Sequence, residues 1–163
     1  MLQTLSIRNV VLIDKLDLDF KPGLSVLTGE TGAGKSILLD SLGLLLGNRA
    51  ETNLIRQGEE KLSVTGIFSI PQHPEFKSVL EKYDLEAEDE VIIKRNLTTE
   101  GKSKIFFNDQ PVSAKTLKEI GHFLVEIHGQ FDNQGLLNPS NHLDILDAYG
   151  NYKETLQAVA QAF

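Results

Sequence analysis

Apolar and polar positions alternate in two early stretches, "LQTLSIRN" (2–9) and "LDLDF" (16–20), the period of strands with one buried face. Pro22-Gly23 marks a turn, and "LSVLT" (24–28) reads as a third strand. From Lys35 to Leu46 the repeat lengthens to that of a helix, with Ile37, Leu38, Leu42, Leu45 and Leu46 on one face. Leu39 and Leu44 widen this face so far that a helix buried on most sides is predicted, with Gly47 as its C-terminal cap.

Beyond the polar segment "NRAETNLIRQGEE" (48–60), alternation returns in "KLSVTGIFSI" (61–70), and a short helix is predicted over Glu75 to Lys82 after Pro74. "EVIIKRNL" (90–97) and "KSKIFFN" (102–108) flank "TTEG" and predict a hairpin. "SAKTLKEIG" (113–121) predicts a helix capped by Ser113. "FLVEI" (123–127) reads as a buried strand and "SNHLDILDAYG" (140–150) as another capped helix. In the last stretch Tyr152, Leu156, Val159 and Phe163 recur at steps of 4, 3 and 4, an a/d seam that no cap closes. The expectation is a lobe over 1–150 followed by the start of a coiled-coil helix over 151–163. An ordinary terminal amphipathic helix accounts for so short a window equally well.

Composition narrows the class. A chain of 163 residues, 40% hydrophobic and 24% charged, is most simply one globular domain, able to bury about 70% of its unfolded surface. The absence of cysteine excludes disulfides and thiolate metal sites and agrees with a reducing cytoplasm. No basic region followed by a long apolar one opens the chain, so no export signal is read. The apolar run near 37–46 is too short to span a bilayer. A net charge of −7 means that any nucleic-acid contact requires a local basic patch. Lys94, Arg95, Lys102 and Lys104, crowded on the predicted hairpin, are the candidates for touching a phosphate backbone. A run of charge on a hairpin is also an ordinary solvated face.

The strongest chemical signal is "GETGAGKS" (29–36), between the predicted third strand and the first helix. Its spacing is G-x-x-x-x-G-K-[ST]. A triphosphate needs several donors converging on one point, and a concave run of backbone N–H groups supplies them. Side chains would block that approach, which accounts for Gly29, Gly32 and Gly34. The helix that follows points the positive end of its dipole at the phosphates. Lys35 can reach the β- and γ-phosphates, and the Ser36 hydroxyl can ligate Mg²⁺. The candidate nucleotide-binding set is Gly29, Glu30, Thr31, Gly32, Ala33, Gly34, Lys35, Ser36 and Ile37, with Lys35 also a catalytic candidate. The lack of an Asn-Lys-x-Asp guanine motif favours ATP.

Further candidates lie in "VEIHGQFDNQ" (125–134). A glutamine leaving a strand can ligate Mg²⁺ through its carbonyl and orient the attacking water, so Gln130 is a catalytic and metal candidate. His128 has no second ligand at metal spacing and reads as a packing residue. Glu126 lacks the paired acid expected of a magnesium-holding strand end. Arg56, in "LIRQGEE", can reach a phosphate of nucleotide or DNA, or serve a surface ion pair.

Together with "LSIRNVVLIDKLDLDF" (5–20), the block "GLSVLTGETGAGKSILLDSLGLLLGNRA" (23–50), "IRQG" (55–58), "FNDQPVSAKTLKEIG" (107–121), "LVEIHGQFDNQGLL" (124–137) and "HLDILD" (142–147), the chain resembles the start of an SMC-like ABC ATPase head over nearly its whole length. The resemblance implies an α/β P-loop fold, the N-terminal lobe of such a head, with a mixed β-sheet and flanking helices. It implies ATP and Mg²⁺ as cofactors, Gln130 as the glutamine loop and Arg56 as the arginine loop. It implies a cytoplasmic, nucleoid-associated protein of DNA double-strand-break repair and recombination, with ATP-driven head dimerisation. Its partners would be a C-terminal lobe of the same protein, a second head, and DNA. An "LSGG"-like signature, a Walker B Asp-Glu pair and a switch histidine do not occur in these 163 residues; in the family they lie beyond a coiled coil. The chain therefore reads as half an active site, inactive by itself. The rivals are a stand-alone small-molecule kinase, which would need an arginine-rich lid that is not evident, and an interaction module that holds nucleotide only structurally.

Overall fold

A computed structural model of the chain describes residues 1–28, 33–71 and 73–127, with Leu143, Leu146, Tyr149, Gly150, Tyr152, Thr155 and Val159 beyond them. The chain divides into two compact units, Met1–Glu126 and Ile127–Phe163. The first contains strands β1 (Leu2–Val10), β2 (Ile13–Asp19), β3 (Lys61–Ser69), β4 (Glu90–Thr98), β5 (Ser103–Phe107) and β6 (Gln110–Pro111), and helices α1 (Ala33–Leu45), α2 (Pro74–Lys82) and α3 (Ala114–Leu124). The predicted helix at 140–150 and the seam at 152–163 fall largely outside the described residues.

The strands form one sheet in the order β2-β1-β3-β4-β5-β6, and every described pairing is antiparallel. Alternation decides which side each strand buries. Leu5 and Ile7 of β1, Leu62, Val64 and Phe68 of β3, and Val91, Ile93 and Leu97 of β4 turn inward. Ser63, Thr65, Lys94 and Asn96 turn outward.

Helix α1 lies on the inner side, contacting β1, β3 and β4 through Ile37, Leu44 and Leu45. Gly66 of β3 permits the approach: a Cβ there would stand 2.7 Å from Leu45 Cδ1 and 2.8 Å from Phe68. Leu39 is 49% exposed, contrary to the expected burial on most sides, although α3 also meets the C-terminal end of α1, where Lys118 and Gly121 approach Gly47 and Leu46. Its end is as predicted. Gly47 has φ 90°, its N–H donates to the Leu44 carbonyl, and the Asn48 N–H donates to the Gly43 carbonyl at 3.0 Å, the Schellman arrangement. The cap at Ser113 is also present, its Oγ accepting from the Thr116 N–H at 3.0 Å. Helices α2 and α3 pack together through Phe76 and Phe123, whose rings meet edge-on at 5.9 Å.

Two predicted strands are not strands. Leu24–Thr28 belongs to no described element, and Leu24 and Val26 are 92% and 73% exposed. The segment "FLVEI" begins inside α3, which continues to Leu124 because Leu117, Ile120, Gly121 and Leu124 form one buried stripe. The backbone becomes extended at Val125, with φ −151° and ψ 139°. A strand requires a hydrogen-bonded neighbour, and none of the described strands pairs with either segment.

Candidate nucleotide-binding site

Gly29–Gly32 lie outside the described residues, as do Gln130 and His128. The described part of the site is the first turn of α1. Gly34, Lys35 and Ser36 are exposed there, whereas Ile37 turns its side chain into the core. Among the described residues an added Cβ at Gly34 would meet nothing within 4 Å. No acidic residue stands in the first turn. The partial positive charge of the helix end is therefore not offset by a carboxylate of that turn, which favours a bound anion.

The chemistry of the donors fits a nucleoside triphosphate with magnesium. Lysine supplies a compact point charge for phosphate oxygens, and serine supplies a hard neutral oxygen. Among the described residues there is no group of three or more His, Cys, Asp or Glu that could hold a metal by itself. Mg²⁺ commonly takes few protein ligands and completes its shell with phosphate oxygens and water.

Arg56 stands next to the β1–β2 turn. Its Nη1 donates to the Leu12 carbonyl at 2.9 Å and its backbone N–H to the Asn9 carbonyl at 3.0 Å. The turn it braces is strained. Val11 has φ 48°, costly for a β-branched residue, and its N–H is held by the Leu54 carbonyl at 2.8 Å. Glu126 is exposed at the end of the first unit.

Of the four hairpin cations, three face outward and one does not. Arg95 is 3% exposed. It occupies the inward register of β4 between Ile93 and Leu97 and donates from Nη1 to the Leu44 carbonyl at 2.8 Å and the Asn48 carbonyl at 2.6 Å. Its Nε donates to Ser103 Oγ at 3.1 Å. Arg95 is thus a cap for the C-terminal end of α1, where the helix dipole is negative, and cannot touch nucleic acid. Burial pushes its guanidinium pKa down from the ordinary value, and the carbonyls it meets compensate for the lost water. Its inward register between two apolar residues was the signal in the sequence.

The family described as AAA domain matches residues 4–160. DNA repair protein RecN of Vibrio cholerae is 40% identical over 163 residues, all of this chain and 29% of the relative. RecN of Bacillus subtilis is 42% identical over 150 residues, 91% of this chain and 26% of the relative. The chain thus spans less than a third of the curated relatives it matches. Among solved structures, one from work on ATP-driven dimerisation and DNA-stimulated activation of SMC ATPases aligns with a TM-score of 0.60 at 20% identity, covering 73% of this chain and 76% of the other. That likeness concerns the fold: a P-loop ATPase lobe of SMC-head type.

Proposed function

The chain belongs to the AAA domain family, and from that premise we propose that it is the ATP-binding, N-terminal lobe of an SMC-like head ATPase acting in DNA double-strand-break repair and recombination. The observation that carries the reading is the first turn of α1, where Lys35 and Ser36 stand exposed directly after the glycine loop in the sequence. The similarity to RecN proteins supplies the repair context. The likeness to an SMC head favours this reading over a small-molecule kinase or an interaction module.

In this mechanism the loop amides of Gly29–Gly34 would cradle the phosphates and Lys35 would hold the β- and γ-oxygens. Ser36 and Gln130 would hold magnesium, which when bound neutralises charge developing on the transferred phosphoryl group. Arg56 would turn a free donor toward phosphate. The chain's own residues thus make ground-state contacts, and binding without transition-state contacts lowers no barrier. The acid pair, the signature loop and the second head would come from the remaining length of the protein. We place the assembled ATPase in the cytoplasm at the nucleoid. Residues 1–150 form the lobe in this proposal, and 151–163 begin a coiled coil.

Replacing Lys35 with alanine removes a charge-assisted bond worth about 1.5 to 3 kcal/mol, so Mg-ATP binding weakens roughly ten- to a hundredfold. Thermal stability is unchanged. Calorimetric titration measures this, and equal affinities would sink the assignment. The chain alone hydrolyses ATP near background, and adding the C-terminal lobe raises turnover. Robust turnover by the chain alone, lost in Lys35→Ala, would place the catalytic acid within these residues, with Glu126 the first to test.

A further inference from the structure

Helix α1 carries Lys35 and Ser36 at one end and is held by directional bonds at the other. On the sheet it rests through Ile37, Leu44 and Leu45, and apolar contact of this kind has no preferred direction. Such contacts fix the distance of the helix from the sheet better than its place along or about its own axis. The end near Leu44 is fixed in those respects too. Arg95 reaches it from β4: Nη1 donates to the Leu44 carbonyl at 2.8 Å and to the Asn48 carbonyl at 2.6 Å. Its Nε donates to Ser103 Oγ of β5 at 3.1 Å, so one guanidinium joins α1 to two strands. Helix α3 closes the same end, with Gly121 so near that an added Cβ would stand 3.1 Å from the Leu46 carbonyl oxygen. An apolar residue could fill the inward position of β4 between Ile93 and Leu97 without the cost of desolvating a charge. What the guanidinium adds there is direction.

We propose that Arg95 is a positioning residue for nucleotide binding: by fixing α1 along and about its axis, it sets where Lys35 and Ser36 meet the phosphates. The inference rests on the proposed nucleotide site and deepens it. At 1.5 Å per residue the helix from Lys35 to Leu44 is about 14 Å long, and its own hydrogen bonds make it move as a rod. An axial shift at Leu44 therefore reaches Lys35 undiminished, and a rotation there carries the Ser36 hydroxyl around the axis. A binding constellation needs its groups held within about 0.5 Å by supporting residues whose own rotamers are locked. Arginine suits this task because its planar fork fixes direction, whereas an ammonium is a point charge on a flexible stem. Because Arg95 stands on β4 and Ser103 on β5, the β4–β5 hairpin becomes part of the frame of the nucleotide site.

Calorimetric titration with Mg-ATP, well below the melting temperature of every variant, tests this on the parent, Arg95→Met, Arg95→Lys, Leu80→Ala and Lys35→Ala. Leu80 is buried in α2, which packs on α3, so Leu80→Ala controls for lost stability alone. Arg95→Met weakens binding roughly three- to thirtyfold, the range for a residue that acts on a site without touching the ligand. Arg95→Lys keeps the charge without the fork and falls between Arg95→Met and the parent. Leu80→Ala melts lower and keeps the parent's affinity. Equal affinities for Arg95→Met and the parent, or equal losses in Arg95→Met and Leu80→Ala, would overturn the proposal. If Arg95→Met does not fold, Arg95→Lys decides in its place: a loss beyond that of Leu80→Ala supports the proposal, and the parent's affinity overturns it. Lys35→Ala separates this outcome from that of the site itself. Equal affinity for Lys35→Ala and the parent sinks the nucleotide site, whereas a loss there with none in Arg95→Met sinks the positioning role alone.

Discussion

The antiparallel sheet and two segments outside it, one leading into the phosphate loop and one following α3, are built from apolar sequence, yet only the sheet completes itself. Each strand from β1 to β5 finds its neighbours within the unit, and the inward side chains meet α1. Leu24–Thr28, which leads into the loop, and Val125–Ile127 pair with none of the described strands. Leu24, Val26 and Leu27 remain 92%, 73% and 49% exposed. Apolar side chains in strand-like spacing without a ladder mark a surface made to be covered. In the proposed function the missing lobe covers it, so nucleotide binding and lobe assembly concern adjoining residues.

The largest effect should come from breaking the self-sufficient region where it meets the helix. Arg95→Met removes a buried guanidinium and its hydrogen bonds to the Leu44 and Asn48 carbonyls, leaving Leu44 only the long bond from the Gly47 N–H. Loss of a hydrogen bond to a charged group costs about 1.5–3 kcal/mol. Chemical denaturation should show a loss of this order, with the Lys94→Met change on the opposite face staying within about 0.5 kcal/mol. Equal effects of the two would mean that Arg95 contributes nothing as a cap.

A second substitution reverses the logic. Val26→Asp should leave this chain's stability within about 0.5 kcal/mol, because the side chain has little burial to lose. Mixed with the C-terminal lobe, the same variant should associate at least tenfold more weakly, since burying a valine contributes about 1.5–3 kcal/mol and an unpaired carboxylate opposes burial. Co-elution or calorimetry reads this. Unchanged association would show that the segment stays uncovered and that the contrast between the two regions has no functional meaning.

The same contrast explains what the sequence could disclose. β1, β3, the β4–β5 hairpin, α1 with Gly47 and α3 with Ser113 each carry their own pattern and their own punctuation, and each is present. The patterns at "LSVLT" and "FLVEI" report a tendency toward burial, but pairing depends on residues elsewhere, and alternation cannot say where the partner is. Arg95 was misjudged by type alone: its neighbours on β4 put it on the inward face, where charge is rare unless satisfied. The strained turn at Val11 was not legible, because a β-branched residue argues against φ 48° and only the Leu54 carbonyl explains it. The place of Lys35 and Ser36 in the first turn of α1 was legible because the phosphate-loop pattern is local in sequence. The hydrogen bond of Arg56 to Leu12 was not, since it spans 44 residues.

The smallest effect concerns the outer edge of the self-sufficient region. Asp17 of β2 accepts two bonds from Arg8 Nη2, at 2.8 and 2.9 Å, and the two residues sit on neighbouring strands near the pair Ser6↔Asp17. The Ser6 hydroxyl first, and then Arg8, hold the Asp17 carboxyl below its ordinary value of 3.8. A carboxyl depressed in the folded state contributes stability that is fully present above its unfolded pKa and is lost as pH falls through the folded one. The contribution is small, since both side chains are open to solvent and salt screens the pair. Asp17→Asn should therefore lower the melting temperature slightly at pH 7. The difference from the parent should shrink once pH falls below about 4, where the unfolded carboxyl begins to take up its proton, and should vanish at still lower pH. Raising salt to 1 M at pH 7 should also diminish it. A difference that stays constant from pH 7 to pH 2 would mean that the carboxylate's charge contributes nothing at this edge, and that β2 is held by its ladder and by Leu16 and Leu18 alone.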